Sequence, residues 1–333
     1  MENKHRAIVV GCGRIGAQSE LDERRDKPAT HLGVYRRCKY TELVGLVDTD
    51  KEKLAAAKSQ IDDNIATFND VVTAIDKLRP DIVSVATTSS SHKDVVKAAA
   101  AKKTPLIMCE KPIAETIEDA EEMVAACNES GSILIVNHMR RFDPALSRVA
   151  DMILKKKIGD IQSVRCLYVN GLMNTGSHII DMLHWYFGEI KWVLAVPNGQ
   201  EPTYGKDVLV NAIIEFESGV QATLQSLDSK HYAVFEIEVF GKTGKISITG
   251  LGQIIDVIGL RESMQYRTYM ELNPEKVERI ADEGRSFFSS MAEHLVSVLD
   301  GASPKSTGKN ALQALKVLLA LKKSAEKGTK EFV

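Results

Sequence analysis

The sequence predicts an α/β protein in two parts. A doubly wound, mostly parallel sheet comes first, and an α+β domain with an open, largely antiparallel sheet follows. Three observations predict this. Short apolar runs alternate with helical stretches up to residue 138, and such near-continuous apolar strands belong to a parallel sheet covered on both faces. Beyond residue 138, several strand-like runs succeed one another through short turns, which is the pattern of antiparallel pairing. A chain of 333 residues is also long for a single hydrophobic core. The expected domains are 1–138 and 139–333.

The first strand, Ala7-Ile-Val-Val10, runs directly into Gly11-Cys-Gly-Arg-Ile-Gly16. This G-x-G-x-x-G spacing lets a backbone approach a pyrophosphate, which the amides of Arg14 and Ile15 at the start of a helix can hold. A helix is expected from about Arg14, interrupted by the charge-rich, Pro28-containing stretch 18–30, which reads as an exposed insertion. A short helical stretch resumes over 31–37. The second strand, 42–47, ends at Asp48, whose carboxylate can accept from both adenosine ribose hydroxyls and repel a 2'-phosphate. That favours NAD over NADP. The interval from Gly16 to Asp48 exceeds the usual spacing of about 20 residues, and the insertion accounts for the excess.

Helices are then expected over 51–60 and from an Asn69 cap to Leu78, with a short edge strand at 66–68 between them. Strand 81–86 leads into Thr87-Thr88-Ser-Ser-Ser-His92, a polar loop at a strand's C-terminal end, where open α/β sheets bind ligands. A fifth strand covers 106–109, a helix 116–128 and a sixth strand 133–136. In the second half, helices are expected over 144–157, 176–187, 286–299 and 308–328, with strands at 161–170 and from 208 to 256. An open face of mixed polarity on that sheet suggests a substrate floor or a subunit interface.

The composition, 44% hydrophobic and 26% charged, is that of an ordinary globular protein. With a net charge of −2, no broad attraction to nucleic acid or to an anionic membrane is expected. The five cysteines are scattered and never form C-x-x-C, so reduced thiols are expected in place of a disulfide framework or zinc site. The N-terminus enters the first strand within a few residues and no apolar run has membrane-spanning length, which predicts a soluble, cytoplasmic protein without a signal peptide.

Three clusters could carry chemistry. In Cys109-Glu110-Lys111-Pro112, proline restricts the lysine backbone, and an amine partly desolvated beside a cationic nicotinamide can serve as general base. The ordinary alternative is a solvated surface lysine. In Asn174-Thr-Gly-Ser-His178-Ile-Ile-Asp181, the spacings of four and three put Asn174, His178 and Asp181 on one helical face. His178 can exchange a proton with a substrate hydroxyl, or it can be a core histidine satisfied by the nearby carboxylate. His178, Asp181 and His184 mimic metal-ligand spacing, but too few ligands share a side, and no metal is expected. In Asn137-His-Met-Arg140-Arg141-Phe-Asp-Pro144, the arginines could orient a hydroxyl-rich or anionic substrate, or form interdomain salt bridges.

Together, in this order, GCGRIG, the Asp48 strand end, TTSSSH, CEKP, NHMRRFDP, GSHIIDMLHWYFG and the terminal PKSTGKNALQALKVLLAL resemble the glucose–fructose oxidoreductase/inositol dehydrogenase (Gfo/Idh/MocA) family. The resemblance implies a Rossmann domain followed by an α+β domain whose open sheet supports a homodimer or homotetramer. It implies hydride transfer between nicotinamide and a hydroxyl or carbonyl of a sugar, polyol or sugar nucleotide. Lys111 would be the catalytic lysine, Glu110 would lie by the nicotinamide ribose, and His178 would be the site histidine. Two departures stand out. Asn174 occupies the first position of the family's D-x-x-x-H and cannot accept a proton, and the stretch before that helix lacks the usual Trp- and Gly-rich segment.

The expected function is thus an NAD(H)-dependent dehydrogenase or reductase acting on a carbohydrate-like alcohol, with Lys111 and His178 catalytic. Asn174, Arg140, Arg141 and Asp181 would bind substrate. Gly11, Gly13, Arg14, Ile15, Gly16, Asp48, Thr87, Thr88, His92, Glu110, Lys111 and Asn137 would bind cofactor. The alternatives are an NAD-binding regulator or scaffold without catalysis, and a lyase or epimerase that uses NAD transiently.

Overall fold

The computed structural model describes residues 4–61, 65–200 and 207–333. The chain forms two compact units, Met1–Asp143 with Ser286–Leu315, and Pro144–Arg285 with Lys316–Val333. The second unit is therefore not everything after residue 139, because residues 286–315 return to the first.

The first unit carries β1 (His5–Val10), α1 (His31–Arg37), β2 (Thr41–Val47), α2 (Lys51–Lys58), β3 (Ala66–Phe68), α3 (Val71–Leu78), β4 (Ile82–Val85), α4 (His92–Ala101), β5 (Leu106–Cys109), α5 (Ile117–Ser130) and β6 (Ile133–Val136). Its six strands are ordered β3-β2-β1-β4-β5-β6 and all pair in parallel. This is the doubly wound order in which the sequence of strands reverses beside β1, and ligands bind beyond the strands' carboxyl ends there. Every residue of β4 and β5 is buried, as a sheet covered on both faces demands. The helix over 71–78 is capped by Asp70, which accepts from Thr73 N, and not by Asn69.

The second unit contains α6 (Pro144–Leu154), β7 (Ile161–Tyr168), α7 (Ser177–Phe187), β8 (Ile190–Pro197), β9 (Val210–Phe216), β10 (Gln221–Ser226), β11 (Phe235–Gly241), β12 (Gly244–Thr249), β13 (Ile254–Glu262) and β14 (Met270–Ala281). In chain order there follow α8 (Ser289–Leu299), in the first unit, α9 (Gly308–Lys327), which begins in the first unit and ends in the second, and β15 (Glu331–Phe332). The nine-stranded sheet runs β14-β13-β12-β11-β7-β10-β9-β8-β15 and is antiparallel except where β10 pairs with β7. β8, β14 and β15 lie outside the strands expected from sequence.

Burial alternates along these strands: Ala222, Leu224, Ile237, Val239, Ile246 and Ile248 face the core. Arg165, Thr223, Gln225, Glu238 and Lys245 alternate with them on the other face, where Glu238 pairs with Arg165 at 2.6 Å and with Lys245 at 2.7 Å. That face is open and of mixed polarity, since Ile213 lies across from Thr223 in the same row and is 41% exposed.

Residues 286–315 rejoin the first unit by two routes. Phe288, Met291 and Leu295 enter the core around Leu32 and Tyr35 of α1. Ser306 and Thr307 bond along β6, with Val136 N donating to Ser306 O at 3.1 Å.

Candidate active site

Gly11 follows β1, and its φ of +94° brings the turn against the end of β4. A Cβ at Gly11 would lie 2.7 Å from the backbone of Ala86 and Thr87. One at Gly16 would lie 1.9 Å from Gly11 O, so this position closes the turn on itself. At Gly13 a Cβ would meet nothing within 4 Å. The two outer glycines are thus demanded by the protein's own packing, while the middle one faces open space where a ligand's phosphates can approach.

The helix expected from Arg14 lasts a single turn, closed by Ala17 N to Gly13 O at 2.9 Å, before a 3-10 turn at Gln18–Leu21. α1 then resumes on that turn: His31 N donates to Ile15 O at 3.1 Å and Leu32 N to Gly16 O at 2.9 Å. Residues 17–30 are spliced into a helix whose hydrogen-bond ladder continues on the far side. The insertion is pinned, not simply exposed. The Glu20 carboxylate accepts from Ala29 N and Thr30 Oγ1, both at 2.9 Å, and pairs with Arg37. Thr30 in turn caps α1 by accepting from Gly33 N at 3.1 Å.

Asp48, just past β2, shapes the same edge. Its carboxylate accepts from Cys12 N at 2.7 Å and from Asp50 N at 2.8 Å, one bond per oxygen, which leaves lone pairs for further donors. Cys12 is buried, and desolvation with the nearby Asp48 charge pushes its thiol up to about 12, so it is an inert packing residue.

Thr87 and Thr88 follow β4, and Glu110 and Lys111 follow β5. His92, expected to touch cofactor, is instead turned inward. Its Nδ1 faces the carbonyls of Pro112 and Ile113 at 3.1 and 3.2 Å, and its Nε2 that of Thr87 at 3.3 Å, so it ties the two loops together. Glu110 is buried at the start of its loop. Its Oε1 meets His31 Nε2 at 2.8 Å and accepts from Asn137 Nδ2 at 2.5 Å, while Oε2 accepts from Lys111 N at 3.2 Å. Burial alone would raise this carboxyl. The hydrogen bond and charge of His31, the Asn137 bond and the Lys111 charge outweigh burial and hold it at about 2. The Lys111–Pro112 peptide is cis. Asn137 is fully buried with its Oδ1 unpartnered among the described residues, an acceptor waiting for a donor.

Arg140 and Arg141 sit in a 3-10 turn, Met139–Phe142. Arg140 stacks over the Phe287 ring at 5.1 Å, and the buried Arg141 reaches Lys305 O at 3.4 Å. In the second unit, a π-helical turn at Leu172–Gly176 feeds α7, so Asn174 lies one turn before His178. His178 and Asp181 are both buried on α7. Asp207, which sequence reading missed, carries a carboxylate onto this turn. Its Oδ2 accepts from Asn174 N at 3.0 Å and its Oδ1 from Val208 N at 2.8 Å, over Gly171, where any Cβ would collide with it. His184 faces Glu189 at 3.1 Å, and no group of three or more metal-ligating side chains exists among the described residues.

The outer glycines that seat the turn, the open side at Gly13, the Asp48 lone pairs and the orphan Asn137 acceptor fit a dinucleotide. Residues 5–138 match the family model described as "Oxidoreductase family, NAD-binding Rossmann fold", and residues 170–247 match the "GFO/IDH/MocA C-terminal domain". The chain belongs to the Gfo/Idh/MocA family of oxidoreductases.

Over 98% of its length it is 25% identical to the D-apiose dehydrogenase of Paraburkholderia graminis, 88% of which is covered. Half of this Gfo/Idh/MocA chain is 30% identical to 51% of the 2,7-anhydro-N-acetylneuraminate hydratase of Escherichia coli. Among solved structures, the WlbA dehydrogenase of Bordetella pertussis, crystallised with NADH and UDP-GlcNAcA, superposes with a TM-score of 0.78 at 21% identity over 99% of each chain. That likeness is one of fold. No helix among the described residues is long and apolar enough to cross a membrane.

Proposed function

We propose that this Gfo/Idh/MocA oxidoreductase uses NAD(H), in preference to NADP(H), to oxidise or reduce a hydroxyl or carbonyl of a sugar, polyol or sugar nucleotide. The single observation that carries the reading is the loop after β5, where a buried, ionised and triply hydrogen-bonded Glu110 immediately precedes Lys111 at the ligand-binding edge of the sheet. The turn amides at Arg14, Ile15 and Gly16 would hold the pyrophosphate. Asp48 would accept the ribose hydroxyls, with Thr87 and Thr88 bordering the site. When bound, the nicotinamide supplies the hydride acceptor or donor.

The remaining work falls to the chain. In the oxidative direction Lys111 removes the hydroxyl proton, His178 hydrogen-bonds the reacting oxygen, and Asn174 orients the substrate with Arg140, Arg141 and Asp181. Lys111→Ala should lower kcat about 10²–10⁴-fold on a substrate found by screening polyols, aldoses and sugar nucleotides. Wild-type turnover by that variant would sink the role. A fluorescence titration should show tighter binding of NADH than of NADPH; the reverse order would remove Asp48 from the ribose. The open, mixed-polarity face of the second unit is proposed as a subunit interface, to be checked by the mass in solution.

A second reading has one observation in its favour. The partial relative named a hydratase, together with a non-titrating Asn174, supports a lyase that recycles its cofactor. Turnover with no net change in NADH absorbance would select it.

A further inference from the structure

Behind Glu110 lies a run of buried polar side chains that the proposed chemistry does not use. Tyr35, Ser84, His31 and Asn137 are each 2% exposed or less, in a region otherwise packed with aliphatic residues. A carboxylate can only accept, so the His31 Nε2 facing Glu110 Oε1 at 2.8 Å carries the proton. His31 Nδ1 faces Ser84 Oγ at 2.6 Å, and Ser84 Oγ accepts from Tyr35 OH at 3.1 Å. The string runs from tyrosine through serine and histidine to the carboxylate.

His31 is also held at its backbone. Its N–H bonds Ile15 O in the glycine turn, and the insertion fixes the start of α1 through Glu20 and Thr30. The residue therefore touches two parts of the site: the turn that would cradle the pyrophosphate, and the carboxylate whose other oxygen bonds Lys111 N at 3.2 Å. We propose that His31 is a positioning residue for Lys111, transmitting the placement of the glycine turn through its ring to Glu110 and so to the lysine's backbone. This rests on the reading of Lys111 as the catalytic lysine. A buried hydrogen-bonded string of this kind specifies one geometry, which is what a proton-transferring amine requires. The groups facing Glu110 are His31 from α1, Asn137 after β6, and Lys111 and Cys109 beside it in the chain.

The test compares His31→Leu, Glu110→Gln and the double variant with the wild type. NADH binding is followed by fluorescence, and turnover on the best substrate from the screen is followed across pH. His31→Leu should lower kcat about 100-fold, as expected for a reacting group displaced by about 1 Å, while NADH affinity changes less than about threefold. The acid limb of kcat should move up, because Glu110 loses the partner that keeps it ionised in a dry site. In the Glu110→Gln background the same substitution should cost less than about tenfold, since no charge is left to hold.

An unchanged pH profile, or an equal loss in both backgrounds, would overturn the proposal. If His31→Leu does not fold, Ser84→Ala and Tyr35→Phe take its place, with smaller losses of kcat and the same displacement of the acid limb, and an unmoved limb in both overturns the proposal. Lys111→Ala in the same assay separates the two claims. Its full activity defeats the catalytic lysine and this role together, whereas its inactivity alongside a wild-type His31→Leu profile defeats this role alone.

Discussion

The two sheets handle polar chemistry in opposite ways. In the parallel sheet the strands β4 and β5 are wholly buried, and polar side chains collect where the strands end, at Asp48, Thr87, Glu110 and Asn137. In β10, β11 and β12 of the nine-stranded sheet every second residue leaves the core, and charged groups such as Arg165, Glu238 and Lys245 lie along the middle of the strands. A sheet covered on both faces has only its ends to offer a ligand, whereas a sheet covered on one face offers a whole surface. A substitution should accordingly be costly all along β4 and β5, and in β10, β11 and β12 only at alternate positions.

The glycine turn gives the largest contrast. Gly16→Ala forces a Cβ to within 1.9 Å of Gly11 O and should abolish NADH binding together with cooperative folding of the first unit. Gly13→Ala meets no protein atom within 4 Å, so the melting temperature should hold while NADH affinity falls by at least about tenfold, the worth of one lost close contact. Unaltered NADH affinity in Gly13→Ala would break the placement of the phosphates.

Next comes the buried interior. Met108→Ala in β5 and Ile237→Ala in β11, both fully buried, should each lose about 2–5 kcal/mol in chemical denaturation. A near-neutral result at Ile237 would show that the second sheet's inner face is less well packed than its alternation implies.

Acid should then discriminate between the two regions. Glu110 has a folded-state pKa lowered to about 2 from 4.5, so its stabilising contribution is present above about pH 4.5 and is lost as pH falls toward 2. His294 is lowered to about 4 by burial and then by the Lys305 charge. It is neutral when folded, and stability is lost as pH falls from about 6.5 toward 4 because the unfolded chain takes up the proton. Both groups belong to the first unit, so acid unfolding monitored there should begin at higher pH than in a His294→Gln variant. The smallest effect is expected on the open face. Arg165→Gln should cost no more than about 1 kcal/mol, and that cost should shrink with salt if that face is exposed. A larger loss that depends on protein concentration would show the face to be covered by a second copy.

Much of the first unit was legible because its signals are local. The apolar strands at 82–85, 106–109 and 133–136, the G-x-G-x-x-G turn and the acidic end of β2 all follow from periodicity or from steric needs a few residues apart. The motif residues Glu110 and Lys111 could be read for the same reason. The cap of α3 moved by one residue, from Asn69 to Asp70, because both can cap and only the entry direction of the chain chooses between them.

His31 was harder to see. The interruption and the helix resuming over 31–37 are legible, but that His31 and Leu32 bond back to Ile15 and Gly16 is not, because the inserted length between them carries no periodic signal. The pattern that could have exposed it is Thr30 as a cap three residues before Gly33, directly after a charged stretch.

The sequence by itself determined that a buried parallel sheet precedes an alternating, one-sided sheet, since hydrophobic period depends on which faces are covered. It also determined that a dinucleotide turn opens the chain and that a lysine follows the fifth strand. Only the tertiary structure decided that 286–315 return to the first unit, that Asp207 caps the turn carrying Asn174, that His92 faces inward, and that His31 joins Glu110. Each of these is a contact between residues far apart in the chain. Such a contact is selected by the burial of a charge or an aromatic ring against a partner whose distance along the sequence carries no energy of its own.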